Sequence, residues 1–101
     1  MNSILQTERE CYETGRTDNL HKHHIYYGRG MRDISEKNRF WVYLTGEYHN
    51  QSTVRGVHFD NYLLDHRLKR ECQKKFLETH SLKDWYALAK FPMPNYLGVG
   101  K

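Results

Sequence analysis

His21-Lys22-His23-His24-Ile25, followed by Phe40-Trp41-Val42-Tyr43-Leu44-Thr45-Gly46-Glu47-Tyr48-His49-Asn50, is the stretch on which the fold of this chain turns. The segment from Leu20 to Tyr27 reads as a strand whose side chains alternate between faces. Leu20, Lys22, His24 and Tyr26 fall on one face, and His21, His23, Ile25 and Tyr27 on the other. Gly28-Arg29-Gly30 breaks it, and the polar residues Arg32 to Arg39 read as a long connection. The aromatic and β-branched run Phe40 to Leu44 is the second strand. Thr45-Gly46-Glu47 then has the form of an N-cap with an acid in the first turn, so a short helix carrying Tyr48 and His49 is expected there, ended or interrupted by Gly56.

On either side of this stretch the signals are simpler. Residues 1–19 are polar and close on the turn-prone Thr14-Gly15-Arg16-Thr17-Asp18-Asn19, an irregular arm. From Asp60 or Asn61 a long helix is expected, because Leu64, Leu68, Cys72 and Phe76 recur every four residues with Arg67, Lys69, Arg70, Lys74 and Lys75 between them. Ser81-Leu82-Lys83-Asp84 has the start pattern of a capping box, opening a last helix through Trp85 and Leu88 that Pro92 stops. The chain therefore reads as one α+β domain: an arm (1–19), a ββα unit (20–59), C-terminal helices packed on it (60–91) and an extended tail (92–101).

The totals agree with one small domain. At 101 residues only a thin core can be enclosed. With 14% aromatics, 8 of them Tyr, that core is expected to consist of a few large rings, although mean hydropathy is −0.94. Lys and Arg outnumber Asp and Glu by 16 to 12, and the pI is near 9.1, which favours phosphate-rich partners over acidic proteins. No apolar run approaches the roughly 20 residues that span a bilayer, so no membrane partner is expected. With only Cys11 and Cys72 and no secretory leader pattern, the reading is cytoplasmic.

Three imidazoles within four residues, then His49 at a helix start and His58 beyond, can line one cleft if the end of the first strand meets that helix. Phosphodiester hydrolysis needs a base for water and a cation for the charge that develops on phosphorus and the leaving oxygen. Imidazole suits the first task because its ordinary pKa is about 6.5. Adjacent histidines on a strand can divide the two tasks across the pleat. Arg29 and Arg32 beside the cleft, and Lys69 and Arg70 on the long helix, are the candidate contacts to a nucleic-acid backbone. A solvated strand and a solvated helix face are the plain alternatives.

His23-His24-Ile25 together with Val42 to Asn50 resembles the small HNH endonucleases of bacteriophages, over roughly Cys11 to Phe76. The resemblance implies a ββα-metal core that hydrolyses DNA with one divalent cation, Mg²⁺, Mn²⁺, Ni²⁺ or Zn²⁺. By position it makes His24 the catalytic base, and His23 and His49 metal ligands. His58, in Gly56-Val57-His58-Phe59, is a further ligand or a packing residue, and Asn50 competes with His49. Asn38 is a poor match for the family's central Asn, so the group orienting His24 stays open. Many members also carry a structural zinc on two Cys-x-x-Cys or Cys-x-x-His pairs. Here those places read Cys11-Tyr12-Glu13-Thr14 and Thr45-Gly46-Glu47-Tyr48, so no structural zinc is expected. Thr14, Thr45 and Tyr48 are then expected to replace it by packing and hydrogen bonds. That erosion also leaves open a catalytically inactive relative that inhibits or decoys a host defence protein. His21, His66 and His80 read as structural or exposed, Cys72 as a small hydrophobe, and Trp41 and Trp85 as packing groups.

Overall fold

In the computed structural model, which describes residues 2–91 and 93–98, two antiparallel strands form the centre: β1 (Leu20–His24) and β2 (Trp41–Thr45). His21 lies opposite Leu44, His23 opposite Val42 and His24 opposite Trp41. Both strands fall within a residue or two of the expected ranges, except that β1 ends at His24 rather than at Tyr27. Pairing goes one step further, since Ile25 N donates to Phe40 O at 2.9 Å.

The polar connection expected between the strands, Arg32 to Arg39, contains a helix that its sequence reading did not assign: Arg32–Asn38 forms α1. Only Ser35 of it is buried, so apolar periodicity could not announce it. Tertiary contacts hold it instead. The Ser35 hydroxyl donates to Tyr26 O (2.7 Å) and accepts from Tyr26 N (3.1 Å), stapling α1 to the chain that leaves β1. The reversal before it uses Gly28 and Gly30 at φ +93° and +82°, a region L side chains rarely adopt, with Met31 N donating to Gly28 O.

After β2 the helical turn is a short π-helix, Glu47–Gln51. Its N-cap is Gly46 with no side-chain cap, because Thr45 is still the buried last residue of β2. The turn ends at Gln51, before Gly56 is reached. The long helix α2 (Tyr62–Phe76) follows, with Asn61 accepting from Leu64 N as its cap, and its stripe Leu64, Leu68, Cys72 and Phe76 is buried as expected. The capping box at Ser81 forms with Asp84 and opens α3 (Leu82–Tyr86), which is shorter than the expected run through Leu88. The expected stop at Pro92 and the last three residues of the tail lie outside the described residues.

The core is aromatic. Tyr26, Phe40, Phe76 and Trp85 meet with ring centroids 5.5 to 5.9 Å apart, mostly edge to face, a geometry worth about 0.5–1.5 kcal/mol per pair beyond the area buried. Trp85 is fully buried and its indole N–H donates to Pro94 O at 3.0 Å. Trp41 also packs, with the Lys22 ammonium 3.7 Å above its ring. The N-terminal arm joins this body rather than trailing from it, through Ile4 N to Arg39 O and Tyr12 N to Tyr43 O. The result is a small compact α+β domain with a radius of gyration of 13.5 Å, against about 13 Å for a 100-residue globule. Among the described residues no helix is long and apolar enough to cross a membrane.

Candidate metal centre and adjoining cleft

Strand alternation places His21 and His23 on one face of β1, and the π-helix directly after β2 brings His49 over that face. His58 arrives by a backbone route. Its N–H donates to His49 O at 3.2 Å, and Val57 N donates to Tyr48 O at 2.8 Å, so the loop after the π-helix folds back along it. Gly56 makes this possible: a Cβ there would lie 2.4 Å from Ser52 O and 3.2 Å from His49 O. One ring nitrogen from each of His23, His49 and His58 then lies within 4.8 Å of the others, close enough for the three to bind one metal ion. The ring centroids are 4.8 to 5.3 Å apart.

Burial within this group is graded, from His23 (1% exposed) through half-buried His49 to exposed His58. Burial, more than the neighbouring imidazoles, pushes the His23 pKa down to about 2 and that of His49 to about 4. His58 is lowered too, by burial first, with Asp65 opposing and Lys69 assisting. At neutral pH these rings are therefore neutral, with lone pairs to give. His23 adds a sharper observation: neither Nδ1 nor Nε2 has a hydrogen-bond partner. A buried polar group left unmatched costs about 1–3 kcal/mol, and a cation shared with His49 and His58 would satisfy one of those nitrogens.

His24 points to the other face of β1. Its Nε2 lies 2.6 Å from Glu36 Oε2 on α1, and Lys22 holds the second oxygen of the same carboxylate at 2.9 Å. The Glu36 pKa is lowered by these contacts, Lys22 first. The orienting group of His24 was open in the sequence, and Glu36 was not singled out there because α1 has no buried apolar stripe to mark it as a helix. Asn38, the poor match for the family's central Asn, is used elsewhere and donates to Ile34 O at 2.8 Å.

The two faces meet at one cavity of about 310 Å³, which wraps the end of β1 and is lined by Lys22, His24, Tyr27, Gly28, Arg32, His49 and His58. Of the expected phosphate contacts, Arg32 lines this cavity and is exposed, while Arg29 and Arg70 are exposed. Lys69 is held inward: its ammonium pairs with Asp65 at 3.0 Å and lies 4.6 Å above the Tyr27 ring. Asn50 is exposed. Tyr27, whose hydroxyl donates to Asp65 at 3.0 Å, packs edge-on against His58 with centroids 4.6 Å apart. Tyr27, anchored by Asp65, thus backs the His58 ring.

Where the resembling family carries structural zinc, Cys11 is sealed at 1% exposure. Its sulfur accepts from Thr45 N at 3.4 Å and lies 4.0 Å from Thr45 Oγ1. Thr14 caps a turn, accepting from Arg16 N at 3.3 Å, and Tyr48 packs against the core. His66 and His80 are exposed, the latter stacked on Phe76 at 4.2 Å. His21, by contrast, is half-buried and reaches His49, with Nδ1 to Nδ1 at 3.0 Å. Compared with known proteins, the chain matches no family model, no curated protein and no solved structure.

Proposed function

We propose that this chain is a metal-dependent endonuclease of HNH type, hydrolysing DNA phosphodiester bonds at the cleft between β1, α1 and the π-helix. The observation that carries this reading is the pairing of two devices around one cavity. One is a group of three neutral imidazoles with an orphaned buried member, and the other is a histidine held by a carboxylate. His23, His49 and His58 would hold one divalent cation, which when bound supplies Lewis-acid stabilisation of charge on the phosphate and the leaving oxygen. Nitrogen ligands alone suit Zn²⁺ or Ni²⁺ better than Mg²⁺ or Mn²⁺.

The remaining work falls to the chain itself. Glu36 accepts the Nε2–H of His24, which fixes the tautomer and leaves Nδ1 free to take a proton from water. As that proton arrives, the carboxylate stabilises the imidazolium. Arg32 at the cavity wall offers a fixed cation to a non-bridging phosphate oxygen. The net charge of +4 draws a polyanion toward the surface.

The test is incubation of supercoiled plasmid with wild type and His24→Ala in Mg²⁺, Mn²⁺, Ni²⁺, Zn²⁺ or EDTA. Ion-dependent nicking that EDTA abolishes and that falls about 10²- to 10⁴-fold in the variant is the expected result. No cleavage by the wild type with any ion overturns it.

One observation favours a second reading, a non-cleaving protein that docks on a host defence protein. Val54, Phe59, Tyr62 and Leu63 are 51 to 74% exposed on the loop and helix start around His58, and apolar side chains gathered at one surface mark interaction sites. Absence of cleavage together with tight binding to a defence nuclease would select this alternative.

A further inference from the structure

His49 has both ring nitrogens engaged, and in opposite directions. Its Nε2 meets His58 Nε2 at 3.1 Å, inside the three-imidazole group, and its Nδ1 meets His21 Nδ1 at 3.0 Å, outside it. The His21 ring stands edge-on to that of His49, at an interplanar angle of 89°. An imidazole that gives the lone pair of Nε2 to a cation is neutral and carries its one N–H on Nδ1. At 3.0 Å that N–H finds the lone pair of His21 Nδ1, so His21 must be the tautomer protonated on Nε2.

We propose that His21 is a positioning residue for the cation site: it accepts the Nδ1–H of His49 and so turns Nε2 of His49 toward His23 and His58. The inference rests on the reading of those three imidazoles as a cation site and deepens it. The need for such a tether is visible in the π-helix itself. That element is five residues long, has no side-chain N-cap and contains no fully buried residue, so its own sequence does little to fix the rotation of the His49 ring. β1 is the rigid partner. His21 and His23 stand two residues apart on the same face, opposite Leu44 and Val42, and span the position that His49 occupies above them. A hydrogen bond from the second nitrogen of a ligating histidine is a general means of setting ring orientation and basicity.

The test titrates Zn²⁺ into the full chain against a competing chelator, for wild type, His49→Ala, His21→Phe and His21→Asn. One ion per wild-type chain, lost in His49→Ala, establishes the site on which the inference rests. His21→Phe keeps a ring but offers no acceptor, and weakens Zn²⁺ by about 10- to 100-fold at unchanged stoichiometry. His21→Asn places an amide oxygen near the position of Nδ1 and recovers most of that loss, which a merely structural role would not predict. Long-range proton–nitrogen spectra of the zinc-loaded wild type show His49 protonated on Nδ1 and His21 on Nε2. Equal affinity in wild type and His21→Phe, or a His49 proton on Nε2, overturns the role of His21 and leaves the cation site standing. A wild type that takes up no stoichiometric Zn²⁺ overturns both.

Discussion

Lowering the pH from 7 to 5 destabilises the ion-free protein by about 2 kcal/mol through His23 alone. In the unfolded chain this imidazole takes a proton near its ordinary pKa of about 6.5, whereas in the folded protein burial holds it to about 2. Below pH 6.5 the unfolded state therefore binds the extra proton. Stability is intact above that value and falls by about 1.4 kcal/mol per pH unit until the pH approaches the folded value. Integrating from 7 to 5 gives the figure of about 2 kcal/mol, a large share of the roughly 5–15 kcal/mol that holds a domain together. His49, lowered to about 4 by burial, acts in the same direction, but it is only half-buried and solvent screening reduces its share. The assay is urea unfolding at both pH values in EDTA, with His23→Gln as the control that cannot titrate. The wild type should lose about 2 kcal/mol more than the variant between pH 7 and 5. Equal losses would refute the reasoning, because His23 would then accept a proton as readily folded as unfolded.

Other consequences follow from the same geometry. Adding a divalent cation at 100 times its dissociation constant should raise unfolding stability by about 2.7 kcal/mol, and EDTA should reverse this, as followed by thermal unfolding. Gly56→Ala forces the Ser52 and His49 carbonyls apart and displaces His58. Ion affinity should drop about tenfold or more in calorimetric titration, with helix content by circular dichroism retained. Glu36→Gln removes the charge facing His24 while keeping its size, and plasmid nicking should slow toward the roughly 10²- to 10⁴-fold loss that removal of the base itself produces. Trp85→Ala empties the centre of the aromatic core and should cost about 3–5 kcal/mol in urea unfolding.

The elements legible in the sequence are those whose signal is local and periodic. The aromatic and β-branched run wrote β2, the segment bounded by Asn19 and Gly28 wrote β1, the four-residue stripe wrote α2, and Ser81 with Asp84 announced the start of α3 through a side-chain bond three residues long. His23, His49 and His58 were legible as a candidate group because strand, strand and helix in that order return the chain to its own start, and the structure brings them together. What escaped was held by tertiary contact. α1 buries one serine and is fastened by that serine to Tyr26, so apolar periodicity could not reveal it, and Glu36 was hidden with it. Lys69 looked like one more cation on a solvated helix face, yet Asp65, buried in the same helix, draws it inward. Alternation put His21 on the face of His23, but its contact with His49 depends on where the π-helix settles over that face, which no local pattern encodes.

The central claim is that His23, His49 and His58 gather around one cation at the base of a cleft open to phosphate. The most direct test is anomalous diffraction from crystals soaked in Zn²⁺, recorded above the zinc edge. The account predicts a single strong peak within about 2.0–2.1 Å of one nitrogen from each of the three rings, the distance of a zinc–imidazole bond. No peak among those rings, or a peak elsewhere with His23 still lacking any partner for its nitrogens, would contradict it.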